Sequence, residues 1–183
     1  MEYKDEIGVI GIDDAPFNKS DKEALIIGTY MRGNSIVDEI CFKKIEKDDF
    51  DSTEKILKIV KDKHFTKINA IFLDGVTFGG FNIADIVKIY NETKIPVIAI
   101  MEKEPDLLKI KSALKKHFFE FPEKIEMLDS FPKPVPFENI FIQNIGINFE
   151  DACKIIKKTR LRSKIPECLR ISHIVGRGFL NID

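Results

Sequence analysis

Short apolar runs alternate with amphipathic segments along this chain, and their lengths separate strands from helices. Ile7–Ile12 is an unbroken apolar run, rich in β-branched residues, that stops at Asp13-Asp14; it is too short for a globular helix and predicts a buried strand. Pro16 prevents its continuation, and Asn18–Lys22 reads as a polar loop. Ala24–Met31 and Ile36–Phe42 flank Arg32-Gly33-Asn34-Ser35, so two β-rich runs surround a Gly-Asn turn. That pattern predicts a hairpin and, with the first strand, an antiparallel meander.

The pattern then changes period. Asp51-Ser52-Thr53-Glu54 has the spacing of a capping box with Asp51 as N-cap, and Ile56, Leu57, Ile59, Val60 and His64 follow as a helical stripe. Ile68–Leu73 is a second buried run, ending in Asp74-Gly75. A glycine-rich loop, Thr77–Asn82, leads into a helix marked by Ile83, Ile86, Val87 and Tyr90, with Asn82 as its candidate cap. Ile95–Ile100 predicts another strand, and Glu104-Pro105-Asp106 opens a helix to about Lys116. Four prolines between Phe118 and Pro136 predict a loop with one short strand; Ile140–Ile142 predicts a last strand. Helices over Phe149–Thr159 and Glu167–Phe179 close the chain. A strand–helix–strand unit favours parallel pairing. Joined to the meander, it predicts one α/β domain over residues 1–183 of the ribonuclease H-like type. Its mixed sheet would combine an antiparallel three-strand meander with parallel strands and carry helices on both faces.

Composition narrows the function classes. The 183 residues are 44% hydrophobic and 32% charged, as in ordinary globular proteins, and the net charge is −1. Nucleic-acid binding would therefore need a local basic patch. Such a patch exists: residues 149–180 carry eight basic side chains, Arg160, Arg162, Lys164, Arg170 and Arg177 among them, against three acidic ones. Four of the five arginines lie there, and arginine forks suit phosphate oxygens, although a solvated helical face explains many lysine runs. Cys41, Cys153 and Cys168 have neither disulfide-framework nor metal-site spacing, which fits a reducing compartment. No apolar run approaches the ~20 residues that span a bilayer, so a cytoplasmic protein with no membrane partner is expected.

The strongest chemical signal is acid at strand ends. Asp13 and Asp14 end the first strand, and Asp74 ends the strand after the first helix. If those strands are parallel neighbours, the carboxylates meet and repel unless a cation, a proton or an arginine intervenes. Hard oxygen ligands suit Mg²⁺ or Mn²⁺, and Asp51 would add a third. An Asx-type loop, a helix cap and a turn would account for the same residues equally well. His173 sits on a largely apolar helix, where packing is the commoner role; His64 and His117 show no partner pattern. The glycine-rich loop lacks the lysine and hydroxyl of a P-loop, and no nucleophile elbow is present.

Gly11–Phe17, Leu73–Asn82 and Pro166–His173 together resemble an archaeal family, domain of unknown function 99, itself similar to endonuclease V. The resemblance implies a ribonuclease H-like fold, a Mg²⁺ or Mn²⁺ centre and DNA or RNA as partner. Asp13 and Asp74 match the metal-binding aspartates, and Arg170 and His173 match the arginine and histidine of the C-terminal motif. Asp51, with Asp48 and Asp49 beside it, occupies the place of the catalytic glutamate, one methylene shorter. Lys103 stands about one position from the expected lysine. The Pro-Tyr-Ile-Pro wedge that reads deaminated bases is replaced by Lys44–Phe50, and a His-Pro-Arg sequence by Phe78–Asn82, so deoxyinosine specificity does not carry over.

Three functions remain in play. The first is a metal-dependent nuclease with Asp13, Asp51, Asp74 and His173 at its centre. Lys103, Arg160, Arg162, Lys164, Arg170 and Arg177 would hold the backbone, and Phe78 and Phe81 would stack on a base or anchor their loop. The second is a catalytically inactive nucleic-acid-binding module on the same scaffold. The third is a metal-dependent enzyme for a small phosphorylated molecule.

Overall fold

The computed structural model describes residues 6–61, 67–118 and 121–179. Strands β1 (Gly8–Asp14), β2 (Glu23–Arg32) and β3 (Ile36–Glu46) form the antiparallel meander, as the Gly-Asn turn predicts. Helix α1 (Ser52–Val60) leads to β4 (Ala70–Asp74), which pairs parallel to β1; α2 (Ile86–Thr93) leads to β7 (Val97–Met101), parallel to β4. Between them Thr77–Phe78 (β5) and Asn82–Ile83 (β6) close the glycine-rich loop as a small hairpin. Helices α3 (Leu107–His117) and α4 (Glu123–Ser130) precede β8 (Val135–Phe137) and β9 (Ile140–Ile145), then α5 (Phe149–Thr159) and α6 (Glu167–Gly178). The sheet order is β3-β2-β1-β4-β7-β9-β8, with β9 antiparallel to both β7 and β8.

The central strands are unbroken apolar runs because both faces are covered. Successive side chains point to opposite faces. Ile10, Ile12, Ile71, Leu73, Val97 and Ala99 pack with Ile56 and Ile59 of α1 and Ile86 and Ile89 of α2. Val9, Phe72, Ile98 and Ile100 pack on the opposite face with Ile155 and Ile156 of α5 and Cys168 and Leu169 of α6. No helix among the described residues is long and apolar enough to cross a membrane.

Three local expectations are corrected. The proline-rich stretch contains α4, with Pro122 at its start and the later prolines beyond its end. Asn82 does not cap α2; Asp85 does, accepting from the Lys88 amide at 2.9 Å. Asp51 makes no side-chain capping bond to α1, because its carboxylate turns back toward the end of β3. His64 lies outside the described residues.

Candidate metal centre

β1 and β4 run parallel with Ile12 opposite Leu73, so Asp13 and Asp74 emerge side by side at their carboxyl ends. Alternation from Val9 and Phe72 places both on the face covered by α6. Helix α6 passes close because residue 11 is glycine. A Cβ there would lie 2.5 Å from the carbonyl carbon of Cys168 and from the amide nitrogen of Leu169. Ser172 fastens the crossing, donating to the Gly11 carbonyl at 3.0 Å and sharing a 2.8 Å hydrogen bond with the Thr29 hydroxyl. The next residue, His173, then stands at Asp13, its Nδ1 3.1 Å from Oδ2. One ligand atom from each of Asp13, Asp74 and His173 lies within 4.8 Å of the others.

This packing leaves the carboxylates short of donors. Asp13 is 3% exposed and accepts the Asp14 amide at 2.8 Å. Burial first, then the charges of Asp74 and Asp14, pushes its carboxyl up to about 8. Asp74 is raised chiefly by burial, opposed by its hydrogen bond with Asp13 and by His173, with Glu102 adding least, in the raising direction. Two such carboxylates must share a proton or hold a cation between them. Two hard carboxylate oxygens with an imidazole beside them could hold a divalent cation.

A model of the Endonuclease dU family matches residues 5–180. The chain belongs to the Endonuclease dU family. It is 58% identical to a UPF0215 protein of Methanocaldococcus jannaschii, covering 98% of this chain and 97% of that one. It is 36% identical to a UPF0215 protein of Pyrococcus horikoshii, covering 98% and 95%. A crystal structure from Archaeoglobus fulgidus superposes with a TM-score of 0.84 at 29% identity, over 95% of this chain and 98% of the other. Endonuclease V of Ciona intestinalis, in complex with DNA containing an inosine followed by a ribo-adenosine, gives 0.63 at 16% identity, over 96% and 87%. The second likeness is one of fold. With the strand order, it gives this Endonuclease dU chain a ribonuclease H-like fold, as the sequence leads one to expect.

Around the centre of this Endonuclease dU member, the expected residues divide. A cavity of about 490 Å³ is lined by Asp74, Glu102, Lys164, Arg170 and His173, with Ser163 and Ile165. It adjoins a second, of about 620 Å³, lined by Leu161, Arg162, Ser163, Glu167 and Arg170. Arg162, Lys164 and Arg170 therefore flank the centre, and buried Glu167 holds the Arg170 guanidinium at 2.7 Å. Arg160 is instead tied to Glu138 at 2.6 Å. Lys103 is exposed just past β7, and Arg177 is exposed near the end of α6.

Asp51 is not brought to this group. Its Oδ1 accepts from the Asn82 side chain at 2.7 Å and the Glu46 amide at 3.1 Å, and Lys55 lies 3.5 Å from Oδ2. Phe78 is fully buried and Phe81 packs against Phe118 at 5.3 Å, so both anchor their loop and neither is presented to a base. His117 ends α3. Glu102 is what sequence reasoning misses. Its signal is close to that of Asp13 and Asp74: an acid where a buried strand ends.

Proposed function

We propose that this chain is a divalent-metal-dependent phosphodiesterase acting on DNA or RNA. The observation that carries the reading is the convergence of buried Asp13 and half-buried Asp74, at two parallel strand ends, with exposed His173 of α6, beside cavities lined by Arg162, Lys164 and Arg170. Asp13 and Asp74 would hold the cation, with His173 at the margin. When bound, such a cation supplies Lewis acidity at the phosphoryl group and makes water a better nucleophile near neutral pH.

The rest is derived from the chain's own groups. His173 Nδ1 lies 3.1 Å from Asp13 Oδ2; in the tautomer that donates Nδ1–H to this carboxylate, Nε2 is the ring atom that takes a proton from water or returns one to the leaving oxygen. Arg170 is held in place by Glu167 and presents its remaining N–H groups to a backbone phosphate at the lip shared by the two cavities. Lys164 and Arg162 have no ion-pair partner among the described residues and extend the cationic track. Deoxyinosine specificity is not part of the proposal, since Lys44–Phe50 lacks the wedge.

The test is strand cleavage. Labelled single- and double-stranded DNA and RNA, incubated with Mg²⁺ or Mn²⁺, are expected to yield products that vanish in Asp13→Asn and Asp74→Asn. Binding without turnover across all substrates would favour the inactive binding module. Salt-insensitive binding would favour a small phosphorylated ligand, because only many phosphate contacts give a steep salt slope.

A further inference from the structure

We infer that Glu102 is the third carboxylate of the cation site, in the role that the family resemblance assigns to the start of α1. The inference rests on the metal-centre reading above and adds to it a ligand from a different strand. Register supports the placement. Asp13 follows Ile12, which lies opposite Leu73; Asp74 lies opposite Ile100 of β7; Glu102 follows two residues after Ile100. With a side-chain period of two, Glu102 takes the face of Ile100, the one that Asp13 and Asp74 share. The three acids therefore step across the carboxyl ends of three neighbouring parallel strands.

The surroundings agree. Glu102 lines the same cavity as Asp74 and His173 and has no ion-pair partner among the described residues, although Lys164 and Arg170 line that cavity too. Its charge acts on Asp74, which marks it as close. An unpaired glutamate there would repel a backbone phosphate held by Lys164 and Arg170. With a divalent cation between acid and phosphate, the same glutamate favours binding. Asp51 is unsuited to the task because it lies outside that group, its Oδ1 held by Asn82 and the Glu46 amide and its Oδ2 facing Lys55.

Mn²⁺ titrated by calorimetry into wild type, Glu102→Gln, Asp51→Asn and Asp74→Asn tests this, with the rise in melting temperature in Mn²⁺ as second readout. Glu102 is exposed, so its variant is expected to fold. Glu102→Gln should bind Mn²⁺ about tenfold more weakly or worse and lose most of the melting shift, while Asp51→Asn keeps wild-type affinity. Wild-type affinity in Glu102→Gln, with binding lost in Asp74→Asn, would overturn Glu102 as a ligand and leave the Asp13–Asp74 centre standing. Loss in Asp51→Asn alone would return the role to α1. Wild type that binds no Mn²⁺ would overturn both the ligand and the centre.

Discussion

Two acid-rich regions border the carboxyl ends of β1 and β4, and they treat their carboxylates in opposite ways. In the first, Asp14, Asp48 and Asp51 knit the β5–β6 hairpin to the ends of β1 and β3. Asp14 accepts the Gly79 amide at 2.6 Å, Asp48 the Phe81 amide at 2.8 Å, and Asp51 the Asn82 side chain. Lys124 of α4 completes that region from below. Fully buried, it donates to the carbonyls of Asp48, Asp49 and Phe81 at 2.7–2.8 Å and lies 4.1 Å from the centre of the Phe50 ring. Residue 80 must be glycine there: its φ is +93°, and a Cβ would sit 2.2 Å from Asp48 Oδ1. In the second region Asp13 and Asp74 face each other, and among the described residues no N–H group donates to Asp74. Acid content does not separate a structural carboxylate from a functional one; the supply of donors does.

The sharpest way to break that contrast is to neutralise one acid in each region. Asp74→Asn should lower cleavage on the order of 10³-fold, yet raise the melting temperature of the metal-free protein, because it removes a half-buried charge facing Asp13. Asp51→Asn should do the reverse, with near-normal turnover and about 1 kcal/mol lost in urea unfolding as a charged acceptor becomes neutral. Loss of turnover in Asp51→Asn with Asp74→Asn fully active would exchange the two assignments.

The next effect falls on the structural region alone. Lys124→Met removes the cation and leaves three part-buried carbonyls without their donor, at a cost of about 3 kcal/mol. The methionine keeps most of the volume, so the loss reports the hydrogen bonds more than the packing. Urea denaturation measures it; a change under about 0.5 kcal/mol would mean that the knot holds without its lysine.

This lysine also shows where the sequence stops being legible. The sheet could be read because its central strands are buried on both faces and so appear as unbroken apolar runs, each punctuated by an acid. Helix α4 could not: its buried residues are Lys124 and Leu128, so the inward face carries a cation where the helical pattern demands an apolar residue. Asp51 fits a capping box, but Asn82, remote in sequence, supplies the better partner. The approach of His173 to Asp13 spans 160 positions and rests on Gly11 and Ser172. Only the family resemblance linked those segments in advance. Glu102 carried a legible signal, visible once β7 is known to lie beside β4.

Proton linkage sharpens the contrast further. The Asp13 carboxyl is raised to about 8 from an ordinary 3.8, and Asp74 and Asp14 are raised as well. Between those values the folded chain binds more protons than the unfolded chain, so stability falls as pH rises. The metal-free protein should therefore melt highest near pH 5 and lower at each step to pH 9. In Asp74→Asn the slope should flatten, since burial then acts on Asp13 without the facing charge. Saturating Mg²⁺ should flatten it as well, by holding both carboxylates ionised. A metal-free melting temperature that climbs from pH 5 to 9 would contradict the crowding of these acids.

The smallest effect extends the same distinction to cations. Lys164 lines the cavity without an ion-pair partner among the described residues, whereas Arg160 is engaged by Glu138. A cation that meets phosphate releases a condensed counterion, so Lys164→Ala should weaken oligonucleotide binding uniformly across sequences and lower the salt slope by about one. Arg160→Ala removes a charge already neutralised by its partner and should leave the slope within error of wild type. Measured in Ca²⁺, to hold the site without turnover, the two slopes form a matched pair on one surface. Equal losses would mean that net charge alone draws in the strand. Unequal losses, with Lys164 the larger, would mean that the unpartnered groups beside the carboxylates lie on its path.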